Sequence, residues 1–370
     1  MLEMPSFMIH FQDIADFRVV GRSRHKLFDI IFIVVASVVA GCDEWSSIGV
    51  LSAERIEWFK KYCELPNGMP SRWTLQRVFQ HLNPAALHKA FRDWMQEIYK
   101  VSKGDIVAID GKTLCSSFDK GNDVAAIHII SAWVSENRLV LGQLKTAEKS
   151  NEIKAIPQLL ELLELTGAIV TIDAMGCQKE IAEAIRKRGA DYVLTVKGNQ
   201  GNLRDDIEAV FDVVDKDMME SFTVTEEGHG RRETREYFQC GDLSRIRNKE
   251  DWKDISSLMK VVSYREEITT GKTSVETRYF ISSLGVDIER TKKAIRGHWG
   301  IENNCHYTLD VVFKEDANRT HAYDGAENLS TVRHIAMNYL QQAKDLKCSI
   351  KNRRFKAALN SEILAKILQI

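Results

Sequence analysis

Two short apolar runs, each ending in an aspartate, constrain this sequence more than any other feature. Val107-Ala-Ile-Asp110-Gly and Val170-Thr-Ile-Asp173-Ala are rich in β-branched residues and closed by turn formers, so both read as buried strands. Continuous apolar runs belong to strands covered on both faces, as in a sheet with helices packed against it. The carboxyl edge of such a sheet is where ligands bind. A strand-end Asp is also an ordinary turn or cap residue, so the pair alone leaves both readings open.

The flanking pattern extends the frame. Asp105–Asp110, Ala126–Val134 and Arg138–Leu144 read as strands, the last two joined by the turn Ser135-Glu136-Asn137. Helix Glu152–Leu165, strand Ala168–Asp173, helix Gln178–Arg188, strand Tyr192–Val196 and helix Asn202–Val213 follow. This β-β-β-α-β-α-β-α order predicts an α/β layered fold with a mixed sheet, the order of a ribonuclease-H-like core. Residues 1–100 read as a helical domain, with helices His25–Ala40, Glu54–Cys63 and Pro84–Tyr99. A further helix opens at Ser71, and its Arg72 and Arg77 suit either a DNA contact or a solvated face. Residues 218–285 form a mostly β insertion, and helical character returns near Glu289. The expected divisions are 1–100, a first catalytic part 101–217, the insertion 218–285, a second catalytic part 286–345, and a basic helical tail 346–370.

Composition narrows the class without deciding it. With 51 basic and 52 acidic residues the net charge is -1, so any nucleic-acid surface must be local. The 7 cysteines form no C-x-x-C pair, which predicts a reducing, cytoplasmic setting without disulfides or a zinc ribbon. Ile30–Ala40 is the strongest apolar run and is far shorter than the roughly 20 residues that cross a bilayer. It reads as a buried helix, and no membrane partner is expected.

Two ionised carboxylates brought close in a half-buried site repel unless a cation lies between them. Oxygen donors with open positions suit Mg²⁺ or Mn²⁺, and a pair of such ions drives phosphoryl displacement. His298, Glu302 and His306 recur at i, i+4 and i+8, a spacing that puts them on one helical face. That trio alone also suits Zn²⁺ or Fe²⁺, a reading that leaves both aspartates without a role.

Ile-Asp110-Gly-Lys112, Ile-Asp173-Ala174 and His298-Trp299-Gly-Ile-Glu302-Asn303 resemble the successive motifs of insertion-sequence DDE transposases that carry a β insertion before the glutamate. The likeness is closest to the H-repeat-associated group linked to Rhs elements. It takes in His25-Lys-Leu-Phe-Asp-Ile, Gly228-His-Gly-Arg-Arg-Glu-Thr-Arg235, Arg278-Tyr-Phe-Ile-Ser-Ser283 and Leu309-Asp310-Val-Val-Phe-Lys-Glu-Asp316. The resemblance implies a ribonuclease-H-like catalytic domain in which Asp110, Asp173 and Glu302 hold two Mg²⁺ or Mn²⁺ ions. It implies cleavage at element ends followed by strand transfer, with double-stranded element and target DNA as partners. A homodimer or larger synaptic complex is the implied assembly, in a bacterial cytoplasm and on the nucleoid when bound. Where the wider superfamily carries Tyr, Arg and Lys around its Glu, this chain has Ile295, His298 and Leu309. Arg296, Lys314 or His298 are the available substitutes. A repurposed relative that binds DNA without cutting it is the alternative.

The resemblance adds Lys112 as a DNA contact. Lys197, with the amides of Gly198 and Asn199, suits a phosphate and equally an ordinary turn. Arg231, Arg232 and Arg235 suit bidentate phosphate recognition, or else a neutral hairpin with Glu226, Glu227, Glu233 and Glu236. Trp299 suits stacking on a displaced base or packing in the core. Lys344, Lys347, Lys351, Arg353, Arg354 and Lys356 form a basic stretch, either a DNA patch or a solvated one.

Overall fold

The computed structural model describes residues 5–19, 21–118, 125–146, 151–228 and 230–370; His229 of the basic hairpin lies outside them. The first helices are α1 Ser6–Gln12, α2 Leu27–Val39, α3 Trp45–Glu54, α4 Ile56–Phe59, α5 Arg72–His81 and α6 Pro84–Ile98. Strands β1 Ile106–Thr113, β2 His128–Val134 and β3 Leu139–Thr146 precede α7 Glu152–Glu161, β4 Ile169–Ile172, α8 Lys179–Lys187, β5 Asp191–Val196 and α9 Gly201–Val213. Then come β6 Glu220–Gly228, β7 Arg231–Cys240, β8 Ser257–Glu267 and β9 Thr273–Ser282. Helices α10 Ile288–Gly300, α11 Tyr307–Val311, α12 Gly325–Gln342, α13 Ile350–Leu359 and α14 Ser361–Ile367 complete the chain. The β-β-β-α-β-α-β-α order expected from the sequence is present, preceded by a helical N-terminal region.

Contacts divide the chain into two compact units. The first is Met1–Lys100, Gly111–Asn151 and Glu302–Ile370; the second is Val101–Asp110 and Glu152–Ile301.

In the first unit, α2 is buried on nearly every side, as its uninterrupted apolar run requires. Among the described residues no helix is long and apolar enough to cross a membrane. α12 is buried from Gly325 to Leu340 despite its polar sequence. Its polar side chains serve neighbouring backbone. Asn328 Nδ2 donates to the Phe79 and Leu82 carbonyls at the end of α5, both 2.8 Å away. Asn338 accepts from Val140 N–H at 2.9 Å and donates to Val140 O at 2.8 Å on β3. Both asparagines thereby serve buried backbone groups, the condition for keeping such groups inside.

Two expectations in this unit change. Helix Glu54–Cys63 is replaced by α3, capped by Glu44 and Ser47, and the single turn α4. The break falls at Arg55, whose guanidinium is drawn to the carbonyls of Ala357, at 3.1 Å, and Ala358. The basic tail is also less free than its composition implies. Arg353 donates to Leu340 O, and buried Arg354 donates to Val38 O and pairs with Asp43 at 2.5 Å. Cations at the carboxyl ends of α12 and α2 satisfy orphan carbonyls and the helix dipole.

The second unit is built on a mixed sheet in the order β1-β4-β5-β9-β8-β7-β6. β1, β4 and β5 are parallel, and β9, β8, β7 and β6 join antiparallel. Residues 218–285 therefore extend the sheet through Val193↔Ser282 to Val196↔Tyr279, instead of forming a separate layer. Helix α10 closes one face: Ile288, Ala294 and Ile295 pack with Ile106, Ile169, Val193, Phe280, Val261 and Tyr237. Gly297 permits the close approach, since a Cβ there would lie 2.9 Å from Ile106 Cγ2.

Candidate functional site

Parallel pairing of β1 with β4 ends at Ile109 opposite Ile172, so Asp110 and Asp173 are the next residues on adjacent strands. Side chains alternate along a strand. Asp110 therefore follows Ile106 and Ala108, and Asp173 follows Ile169 and Thr171, onto the face that α10 covers. Both aspartates are half-buried. β1 does not stop at Asp110, as the sequence implied, but continues to Thr113. Asp173 is indeed a cap: its Oδ1 accepts from Met175 N–H at 3.0 Å and Gly176 N–H at 3.3 Å. That use holds the carboxylate still and leaves Oδ2 without a hydrogen bond among the described residues. Gly176 is required there, because a Cβ would fall 2.2 Å from Ile172 Cγ2.

The loop after β5 is tied to the same edge. Asn199 Nδ2 donates to Ala174 O at 2.7 Å, and Gln200 Nε2 donates to Cys177 O at 2.9 Å. Lys197, just before it, is exposed. From above, α10 delivers His298, whose Nδ1 lies 3.1 Å from Thr171 Oγ1. Burial pushes the imidazole down to about 4, opposed in part by the nearby Asp173 carboxylate. A neutral, buried His298 is no phosphate contact, so it does not replace the missing arginine. Ile295 and Leu309 are buried apolar residues at the other two departures.

Next to His298 on α10, Trp299 is surrounded by guanidiniums: Arg296 at 5.0 Å, Arg278 at 5.1 Å and Arg235 at 5.6 Å from its ring centre. Such stacking is worth about 0.5–2 kcal/mol per pair, depending on solvation. The structure thus brings together three of the expected DNA contacts and adds Arg278, which the sequence reading left in a motif without a role. Its signal was alternation: Arg278 and Phe280 share a face of β9, and Phe280 packs in the α10 core. Arg235 is corrected. Its side chain is 4% exposed and held by Glu226 at 2.6 Å and Glu233 at 2.5 Å, so it props Trp299 instead of meeting solvent. Arg232 is exposed but paired with Glu227 and Glu266 across the strands, while Arg231 is exposed at the hairpin end.

Lys112 also departs from expectation. In the first unit its ammonium lies 2.6 Å from Asp310, 2.8 Å from Asp316 and 3.3 Å from Glu315, with its side chain 10% exposed. It is an internal counterion. Glu302 is exposed at the start of a π-helical turn, Ile301–His306. That wider turn breaks the i, i+4, i+8 alignment: His298 is buried and Glu302 is not.

The donor chemistry of the aspartate pair, hard oxygens on fixed neighbouring strands, fits Mg²⁺ or Mn²⁺. Among the described residues no three His, Cys, Asp or Glu side chains converge as a metal-holding group.

Comparison with known proteins gives the class first. The transposase DDE domain family matches residues 101–339, and the family described as DDE_Tnp_1-associated matches residues 8–95. The chain belongs to the DDE transposase family, within its H-repeat-associated group. It is 42% identical to YncI of Escherichia coli O157:H7 over 99% of this chain and 95% of that one. It is 39% identical to the H repeat-associated YhhI of Escherichia coli strain K12, over 99% of this chain and 98% of that one. Among solved structures, the piggyBac transposase synaptic complex with hairpin DNA matches at a TM-score of 0.47 and 10% identity, covering 97% of this chain and 77% of that chain.

Proposed function

We propose that this transposase cuts and rejoins DNA with divalent-metal assistance, using Asp110, Asp173 and Glu302 as its acidic set. The observation that carries the reading is the placement of Asp110 and Asp173 one residue beyond the Ile109↔Ile172 register, on the face beneath α10. Adjacent parallel strands give the two carboxylates a fixed spacing, and the Asp173 cap removes one of its rotational freedoms. Bound Mg²⁺ or Mn²⁺ would supply Lewis-acid activation of the attacking oxygen and stabilisation of the leaving one. Glu302, on the π-helical turn, is the third carboxylate; such turns recur at functional sites.

The chain's own groups orient the DNA. Lys197 meets phosphate at the edge that carries Asp173, and Asn199 positions that loop through its bond to Ala174. Arg296 and Arg278 flank Trp299, whose ring offers a stacking surface for an unpaired base. Arg231 and Arg232 present charge along the backbone further out. DNA held this way, in a homodimer or larger complex on paired element ends, is the substrate.

Incubation with DNA from the ends of its own element and Mg²⁺ or Mn²⁺ tests the proposal. Wild-type protein should nick at the ends. Asp110→Ala, Asp173→Ala and Glu302→Ala should each lose cleavage by at least about 100-fold, while binding in EDTA persists. Full cleavage by any one variant removes that residue from the set. A second reading is a relative that binds DNA without cutting it, favoured by Ile295, His298 and Leu309, which stand where the wider superfamily carries Tyr, Arg and Lys. Binding in EDTA with no nicking under any metal would establish it.

A further inference from the structure

A separate cationic feature lies wholly within the first unit. A cleft of about 640 Å³ is lined by Arg18, Arg22, Arg24, Arg77, His25 and His81, and by no carboxylate. In a chain of near-zero net charge, such segregation is a local field and not a reflection of composition.

The cleft is built, not incidental. Arg18 clasps Asp16 at 2.7 Å and donates to His25 O at 2.8 Å, folding the loop back on itself. Asn67 Nδ2 fastens the same loop by donating to Arg24 O at 2.8 Å. The opposite wall is one face of α5, where Thr74, Arg77, Val78 and His81 follow helical spacing behind the Ser71 cap. Arg18 is consumed in this construction. Arg22, Arg24 and Arg77 are exposed, and their guanidiniums have no hydrogen bond or ion pair among the described residues. Burial, together with the charges of Arg18 and Arg24, lowers the His25 imidazole below its ordinary value. Phe17 and Val19, 47% and 63% exposed, add apolar surface at the mouth suited to deoxyribose.

We propose that this cleft is a non-catalytic anchor for the sugar–phosphate backbone of duplex DNA, gripped by Arg22, Arg24 and Arg77 without regard to base sequence. Guanidiniums match phosphate in bidentate geometry, and three that lack internal carboxylates break no ion pair on binding one. The inference rests on the reading of the chain as a protein that acts on DNA, and it names a surface remote in sequence from the acidic set.

Fluorescence anisotropy with a labelled duplex in EDTA, across about 50–200 mM salt, decides it. The full-length Arg22→Ala/Arg24→Ala/Arg77→Ala variant should bind about tenfold or more weakly at the lowest salt. Its log–log salt dependence should be shallower by about 2.7, the value for three lost phosphate contacts. Single Arg→Gln variants should each flatten the slope by about 0.9, and a scrambled duplex should behave like the element end. An unchanged urea midpoint confirms that the triple variant is folded; should it fall, the single variants carry the test. Unchanged affinity and slope would overturn the anchor while leaving the transposase reading intact. Wild-type protein that binds no duplex at all would overturn both. Loss of a labelled poly-glutamate peptide with duplex binding retained would assign the cleft to an acidic protein and equally reject the proposal.

Discussion

Replacing Lys112 with Met separates two roles that the sequence alone could not. As a DNA contact, the residue would be dispensable for folding, and its loss would flatten the salt dependence of binding by about 0.9. The structure gives it internal work instead. Burial alone would lower the ammonium, but Glu315, Asp310 and Asp316 overcome this and hold it above its ordinary value. Glu315 is 1% exposed and would keep Arg333, 3.5 Å away, as its remaining ion-pair partner among the described residues. Breaking a buried pair from one side costs about 3–5 kcal/mol. Asp310 and Asp316 are 34% and 39% exposed, so water takes over much of their share. The expected loss is thus about 3 kcal/mol, at the low end of that range. Urea unfolding at pH 7 measures it, and Lys112→Arg should recover part. Adding Glu315→Gln should relieve the stranded charge, with a coupling of roughly 0.5–3 kcal/mol. A Met variant with wild-type stability and a flattened salt slope would refute the counterion assignment.

Two further changes test other parts of the fold. Gly176→Ala should cost about 1–3 kcal/mol, because its Cβ would press on the stiff Ile172 side chain beneath the Asp173 cap. Gly201→Ala, in open space at the start of α9, is the control and should be neutral or slightly stabilising by urea melt. Asp29 is buried in α2 with its carboxyl raised to about 6 by burial, so the folded state holds its proton more tightly than the unfolded chain. Stability from this group is present below about pH 4 and declines as pH rises through about 6, by roughly 2–3 kcal/mol. Asp29→Asn should therefore gain stability relative to wild type at pH 7.5 but not at pH 4; equal differences at both would contradict the assignment.

The elements that sequence reveals best are those whose signal is local. β1, β4 and β5 are β-branched runs, and their periodicity predicted both the strands and the edge carrying Asp110 and Asp173. α10 begins at Ile288, within one residue of the return of helical character expected near Glu289, and it carries the motif residues His298 and Trp299. What stayed hidden depends on partners far along the chain. Nothing near Lys112 announces Asp310 and Glu315, whereas Arg235 takes the neutral-hairpin alternative through Glu226 and Glu233. α12 has too many polar residues to read as a core helix, because its Asn328 and Asn338 are matched to backbone on α5 and β3. The π-helical turn at Glu302 escaped because the i, i+4 pattern is written for ordinary helices. Composition marked Arg353 and Arg354 as a surface patch, although helix ends consume them.

The junction of β9 with β5 has an evolutionary corollary. Because the chain reaches the outermost strand β6 first and steps inward through β7 and β8 to β9, alongside β5, before starting α10, the excursion works as a return path that sets where α10 begins. Excising it would strip β5 of its neighbour, open an unpaired edge and cut α10 loose from Tyr237, Val261 and Phe280. Length changes between relatives should therefore collect at the far tips, around Gly228–Arg231 and Glu267–Thr273, where added residues leave that path intact.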